Sequence, residues 1–190
     1  RSKWTKLHWV ATWPQLSKGY LMANTNSTII TGVGDPENMV NVGIAGARMR
    51  FAYDTFRLAS NPADGDTYAL CRLPSGCRIT SIKLFNDDID SNATEQIVID
   101  LGLVDTDLTG GDPDCFMDAD DLFQDANLTG TECRYGFAQD HTTLKKQAWE
   151  LAGKSSDDGK QLVLLLTVDT NSATHVADSD FSFEVNYVID

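Results

Sequence analysis

The stretch from Phe181 to Ile189 constrains the fold more tightly than any other. Phe181, Phe183, Val185, Tyr187 and Ile189 alternate with Ser182, Glu184 and Asn186. A period of two belongs to a strand with one apolar face, whereas a helix repeats at 3.6. Such a face must be buried against a second layer of structure. Ile97, Ile99, Leu101 and Leu103 show the same alternation, and Leu162–Leu166 is apolar on both faces, as a central strand requires. Met49, Phe51 and Tyr53 alternate with Arg48, Arg50, Ala52 and Asp54, but the next apolar pair, Phe56 and Leu58, has the opposite phase. That flip predicts a bulge near Asp54 or Thr55.

Tyr68–Leu73 and Arg78–Phe85 read as two strands on either side of the polar turn Pro74-Ser75-Gly76. In the second, Ile82 and Leu84 share a face while Ile79 and Phe85 point the other way. Met39–Ile44 and Arg134–Phe137 read as further short strands. Residues 105–121 read as an acidic loop and 120–126 as a short helix. Leu144, Ala148 and Leu151 fit helical spacing, although so short a stretch could equally pair as a strand. About eight strands with turns between them predict an all-β, antiparallel two-sheet sandwich. With no Cys…Trp…Cys framework, jelly-roll-like connectivity is expected over immunoglobulin-like. The expected organisation is an extended N-terminal arm and linker, residues 1–38, followed by a sandwich domain, residues 39–190.

Charge divides the chain. The total of −13 resolves into +4 over residues 1–21, from Arg1, Lys3, Lys6 and Lys18, and −17 over the remainder. An acidic body argues against nucleic acid as a partner, because binding by counterion release needs cations. No run reaches the 18 apolar residues of a membrane span, and no secretory signal pattern is seen, so neither membrane nor export is expected. The basic segment also holds Trp4, Trp9 and Trp13. Two readings of it stand. One is an arm lying across a neighbouring subunit with its tryptophans as anchors; the other is an extraneous start with no role. The arm is favoured.

Catalytic and metal motifs are missing. Cys71, Cys77, Cys115 and Cys133 form no C-x-x-C pair, and His8, His141 and His175 are scattered, so small buried thiols are expected and no structural zinc. Asp105-Thr-Asp-Leu-Thr-Gly110 resembles the first half of an EF-hand loop, but the twelfth position is Phe116 where a bidentate Glu is needed. A looser calcium site among Asp105, Asp107, Asp112, Asp114, Asp118, Asp120 and Asp121 is the minority alternative to a solvated acidic loop. Carboxylate pairs such as Asp87/Asp88 are no more than numerous acids produce by chance. The triplet Asn127-Leu-Thr is read as meaningless without a secretory signal. Trp149 is expected to pack in the core rather than stack on sugars. No catalytic residue, metal or cofactor is assigned.

Three stretches together resemble a family of tailed-bacteriophage head proteins, the capsid decoration or cement proteins. The first holds Leu73, Pro74, Gly76 and Arg78, similar to the family's LP-x-G-x-R turn, and closes on Asp87, Asp88, Asp90 and Ser91, similar to a DDLDS corner. The second is Gly111-Asp-Pro-Asp-Cys-Phe-Met-Asp-Ala-Asp120, where Cys115 replaces a basic residue. The third is Trp149-Glu-Leu-Ala-Gly-Lys-Ser-Ser-Asp-Asp-Gly159, with Asp158 where proline is usual. The likeness runs from Arg48 to Asp190. It implies a non-enzymatic virion protein made in the host bacterial cytoplasm. On the capsid surface it would stabilise the shell by bridging major capsid subunits, itself a homotrimer. Trp4, Trp9, Trp13, Asp87, Asp88 and Asp90 are the candidate interface residues. The alternative is a head-surface or fibre-type module that binds host glycans.

Overall fold

The computed structural model describes residues 24–26 and 49–189. Nine strands follow in order: β1 (Asn24–Asn26), β2 (Met49–Leu58), β3 (Thr67–Pro74), β4 (Arg78–Asn86), β5 (Val98–Asp105), β6 (Gly111–Asp120), β7 (Asn127–Glu132), β8 (Gln161–Thr170) and β9 (Ser179–Val188). Between β7 and β8 lie a 3-10 turn (His141–Thr143) and a short α-helix, α1 (Ala148–Leu151). Sheet one has the order β1-β3-β8-β5-β6 and sheet two the order β2-β9-β4-β7. Apart from the parallel β1–β3 pair, neighbouring strands are antiparallel. Setting β1 aside, β2 to β9 fall into two four-stranded sheets, and every consecutive connection except β5–β6 changes sheet. That is the jelly roll. Most of the arm and linker expected over 1–38, and the strand expected over 39–44, lie outside the described residues.

The core sits between the inner faces, and the sequence periodicities explain which residues enter it. Phe181, Phe183 and Val185 of β9 are buried, as are Ile99, Leu101 and Leu103 of β5. Phe56 stacks on Phe181 with ring centroids 4.8 Å apart, and Tyr68 of the other sheet meets Phe181 edge-on at 5.3 Å. These rings tie sheet to sheet by offset and T-shaped contacts. β8 is central in sheet one, and its two-sided apolar pattern is accounted for: Leu162, Leu164 and Leu166 join the main core, while Val163 and Leu165 form a second cluster with Ala69 and Val104 on the opposite face.

Several expectations are corrected. β2 pairs with β9 without interruption from Met49 to Leu58, so no bulge lies at Asp54 or Thr55. The phase flip arises because Phe56 and Leu58 point inward while Met49, Phe51 and Tyr53 point out. A bulge lies instead in β4, between Ile79 and Ser81, and it turns Ile79 into the same core as Ile82 and Leu84. Residues 111–120, expected as loop, form β6, and Asn127–Glu132 form β7. The segment 120–126 is a turn rather than a helix, and Arg134–Phe137 is a bend rather than a strand. Trp149 is half-buried at the rim, outside the core.

β4 extends on the N-terminal side of Lys83, where its pairing with β7 ends, and the last residue of β7 and the start of the β7–β8 connection serve its backbone there. Glu132 accepts from the Ile82 amide at 2.9 Å and from Ser81 Oγ at 2.6 Å. Arg134, fully buried, donates from Nε to the Ile79 carbonyl at 3.2 Å and from its fork to the Thr143 carbonyl at 3.0 Å. Its guanidinium lies 4.5 Å from the Tyr135 ring centroid and 5.5 Å from that of Phe116. Burial lowers the Arg134 pKa, yet an arginine stays charged. Its stabilisation therefore comes from carbonyls and ring faces.

Candidate functional site

The surface of most consequence is the outer face of sheet two. β2 is the edge strand of that sheet, and its odd-numbered residues point outward. Met49, Phe51 and Tyr53 are 67%, 63% and 66% exposed, three large apolar side chains in a row. The Phe51 and Tyr53 rings stand nearly parallel, 13° apart, with centroids separated by 5.8 Å. Across the sheet the pairing register places Tyr53 beside Glu184 and Lys83, and Thr55 beside Ser182 and Phe85. Phe51, Tyr53 and Thr55 with Phe85, Ser182 and Glu184 line a shallow open groove. Its polar flank is internally ordered: Thr55 Oγ1 and Ser182 Oγ are 2.8 Å apart, and Asn186 Nδ2 donates to Glu184 Oε1 at 2.7 Å. Single exposed apolar residues are ordinary, but a contiguous stripe on a long edge strand marks a contact surface. All three stripe residues were legible as an alternating apolar set; what the sequence hid was which way they point.

The acidic corner divides into three different roles. Asp90 is 1% exposed, and its carboxylate is consumed within the fold. It accepts from the amides of Asn92, Gln96 and Ile97 at 2.9, 2.7 and 3.1 Å, and from Ser172 Oγ at 2.5 Å. Burial opposes its ionisation, but these bonds outweigh that and hold it below the usual carboxylate range. Asp87 is half-buried and accepts from the Asp180 amide at 3.0 Å, joining the end of β4 to the start of β9. Asp88 alone is exposed. Trp4, Trp9 and Trp13 lie outside the described residues.

Two of the three signature stretches meet at the opposite rim. Ser75, buried in the turn that carries the chain from β3 in sheet one to β4 in sheet two, donates from Oγ to Asp157 at 2.5 Å. Its carbonyl accepts from the Trp149 amide at 3.0 Å, and the Cys77 carbonyl accepts from the Ala148 amide at 2.8 Å. α1 starts with a reciprocal cap between Gln147 and Glu150, which satisfies amides at its free end. Lys154 bonds to Asp105, at the turn leading into β6, and reaches Asp158 at 3.3 Å. The rim is thus a self-locked arrangement of turn, helix and loop.

Among the described residues the thiols are buried and most of the acids near β6 are engaged within the fold. All four cysteines are buried free thiols, and burial pushes Cys77, Cys115 and Cys133 up to about 12. A thiol held protonated is a poor nucleophile. Among the described residues no three His, Cys, Asp or Glu side chains are grouped to hold a metal ion. The acids of 105–120 are drawn apart into local roles: Asp105 to Lys154, Asp107 to Thr109, Asp120 to the Leu122 amide. Asp112 and Asp114 alone stand together, and Asp112 is pushed up to about 6, by burial first and by Asp114 second. Among the described residues no helix is long and apolar enough to cross a membrane.

No protein-family model matches the chain, and no curated protein does. Solved structures do. A chain in the capsid of Ralstonia phage GP4 superposes with a TM-score of 0.66 at 18% identity, covering 88% of this chain and 99% of that one. A chain in the capsid asymmetric unit of cyanophage Pam1 does so with a TM-score of 0.54 at 18% identity, covering 80% of this chain and 95% of that one. At such identities what is shared is the fold.

Proposed function

We propose that the chain is a non-enzymatic virion structural protein that decorates and stabilises a phage capsid by bridging major capsid subunits. The observation that carries this reading is the likeness to the Ralstonia phage GP4 capsid chain, which spans 99% of that chain and so takes in its whole fold rather than a shared fragment. The physical features agree with it. A decoration protein needs a rigid body and an adhesive face, not a pocket. The locked rim and buried Arg134 supply rigidity, and the Met49–Tyr53 stripe supplies a face. A homotrimer around a local symmetry axis, seated on the capsid surface after synthesis in the host cytoplasm, completes the reading.

The test is addition of the purified protein to capsids that lack it. Co-sedimentation at a fixed stoichiometry, with the shell opening at a higher temperature, is expected. A protein that stays in the supernatant over the whole concentration range overturns the reading. A second reading, a module that binds host glycans, is favoured by one observation: two exposed aromatic rings stand beside the Glu184 carboxylate and the Asn186 amide. It expects glycan binding that is lost in Tyr53→Ser. Absence of binding across a broad glycan panel removes it.

A further inference from the structure

We infer that the stripe Met49, Phe51 and Tyr53 is the seat of the tryptophan-bearing segment, residues 1–21, of a second copy of this chain. The inference rests on the capsid-decoration reading only for bringing copies side by side.

Four observations favour this occupant. The stripe is aromatic and exposed over three consecutive outward positions, and aromatic anchors are what concentrate contact energy at interfaces. The segment carries +4 and the rest of the chain −17, so a neighbour's segment draws two bodies together that otherwise repel. Asp54 and Glu184 line the same groove as the two rings, which sets carboxylates beside the seat of a segment that is basic overall. The dimensions match as well. Trp9 and Trp13 share one side of an extended chain and lie about 13 Å apart at ~3.3 Å per residue, the same separation as Met49 and Tyr53 along β2. In that register Trp9 and Trp13 fall on Met49 and Tyr53, at the two ends of the stripe, with small Ala11 opposite Phe51.

The place where the segment joins the sandwich puts a neighbour's stripe within its reach. The first described residue after it, Asn24, lies on β1, beside β3 at the edge of sheet one. β2 is the edge of sheet two and touches β3 across the sandwich. Each copy therefore sends its segment out on the flank that carries its own stripe, and two copies meeting by that flank reach each other. The residues between Trp13 and Asn24 span up to about 35 Å when extended, enough to cross to a neighbour.

The experiment uses the full chain with a photo-crosslinking benzoylphenylalanine at position 9 or 13, prepared in light and heavy isotopic forms and mixed. Cross-links to residues 49–55 or 182–186, recovered as mixed light–heavy pairs, are the expected result. In the Phe51→Ser/Tyr53→Ser double variant their yield should fall by about tenfold or more, with far-UV circular dichroism unchanged because both side chains are exposed. Cross-links confined to single chains, cross-links landing elsewhere, or a yield the double variant does not move would each overturn the inference. A chain that adds to capsids without these cross-links keeps the capsid reading and loses only the arm. Arm exchange in a chain that does not add to capsids keeps the arm and loses the capsid reading.

Discussion

Replacing Asp90 by Ala separates a surface corner from a structural one. The carboxylate serves four donors: the amides of Asn92, Gln96 and Ile97, and Ser172 Oγ. Gln96 is exposed and Asn92 half-buried, so water can take over there, whereas Ile97 and Ser172 are fully buried. Ser172 Oγ keeps a second acceptor, the Thr174 carbonyl at 2.5 Å, so the Ile97 amide is the buried donor left stranded. Such a donor costs about 1–3 kcal/mol, and with the loss of the charged acceptor the change is about 2 to 4 kcal/mol. For a domain of this size that is a fall in melting temperature of roughly 4 to 16 °C. The pH dependence has a definite sign. The folded pKa of Asp90 is depressed, so its contribution is complete above the ordinary carboxylate value, about 3.9, and is lost as pH falls through the lower folded value. The gap between wild type and variant should thus be full at pH 7 and narrow only in strong acid. Thermal unfolding followed by circular dichroism at pH 7 and pH 3 measures it. The exposed Asp88→Ala is the control, expected within about 0.5 kcal/mol of wild type. An Asp90→Ala protein that melts within about 2 °C of wild type at pH 7 would refute the reasoning.

Other expectations follow from the same geometry. Phe181→Ala removes the ring that Phe56, Tyr68 and Phe123 share, and should cost about 3–5 kcal/mol by urea unfolding. A Cβ on Gly102 would stand 2.2 Å from the Asp112 carbonyl oxygen and 2.3 Å from the Pro113 carbonyl carbon, backbone that cannot yield. Gly102→Ala should therefore detach β6, cost on the order of 3 kcal/mol, and speed amide exchange in that strand. Asp112 has a folded pKa raised to about 6, so its ionisation works against the native state above that pH. Asp112→Asn should melt above wild type at pH 8, the advantage shrinking as pH falls through 6 and vanishing near 4.

The strands that were legible are those whose own residues alternate against a core. β9, β5 and the two-faced β8 could be read because burial imposes the pattern directly on their side chains. β6 and β7 escaped for the opposite reason. Gly111-Asp-Pro-Asp and Asn-Leu-Thr-Gly-Thr-Glu are poor strand formers, held as the outermost strands of their sheets by neighbours far away in sequence. The order 2-9-4-7 against 3-8-5-6 was illegible because each pairing joins residues that carry no mark of one another. The stripe was visible as a set, but the phase flip after it was read as a bulge, whereas it marks the change from outward-facing to inward-facing apolar residues along one regular strand. The Asp87–Asp90 corner read as one acidic patch, yet only coordinates distinguish a carboxylate facing four donors from one facing water.

β9 lies between β2 and β4 in sheet two, and neither of those strands touches the other until it arrives. During synthesis β2 and β4 emerge more than ninety residues before the strand that joins them. Sheet two is therefore assembled after translation of its last strand, and loop closure over that span must precede any gain from its pairing. Until then two long strands wait with unpaired edges, one of them carrying the Met49–Tyr53 stripe, so the time before β9 inserts is when the chain is most open to mispairing with its own copies.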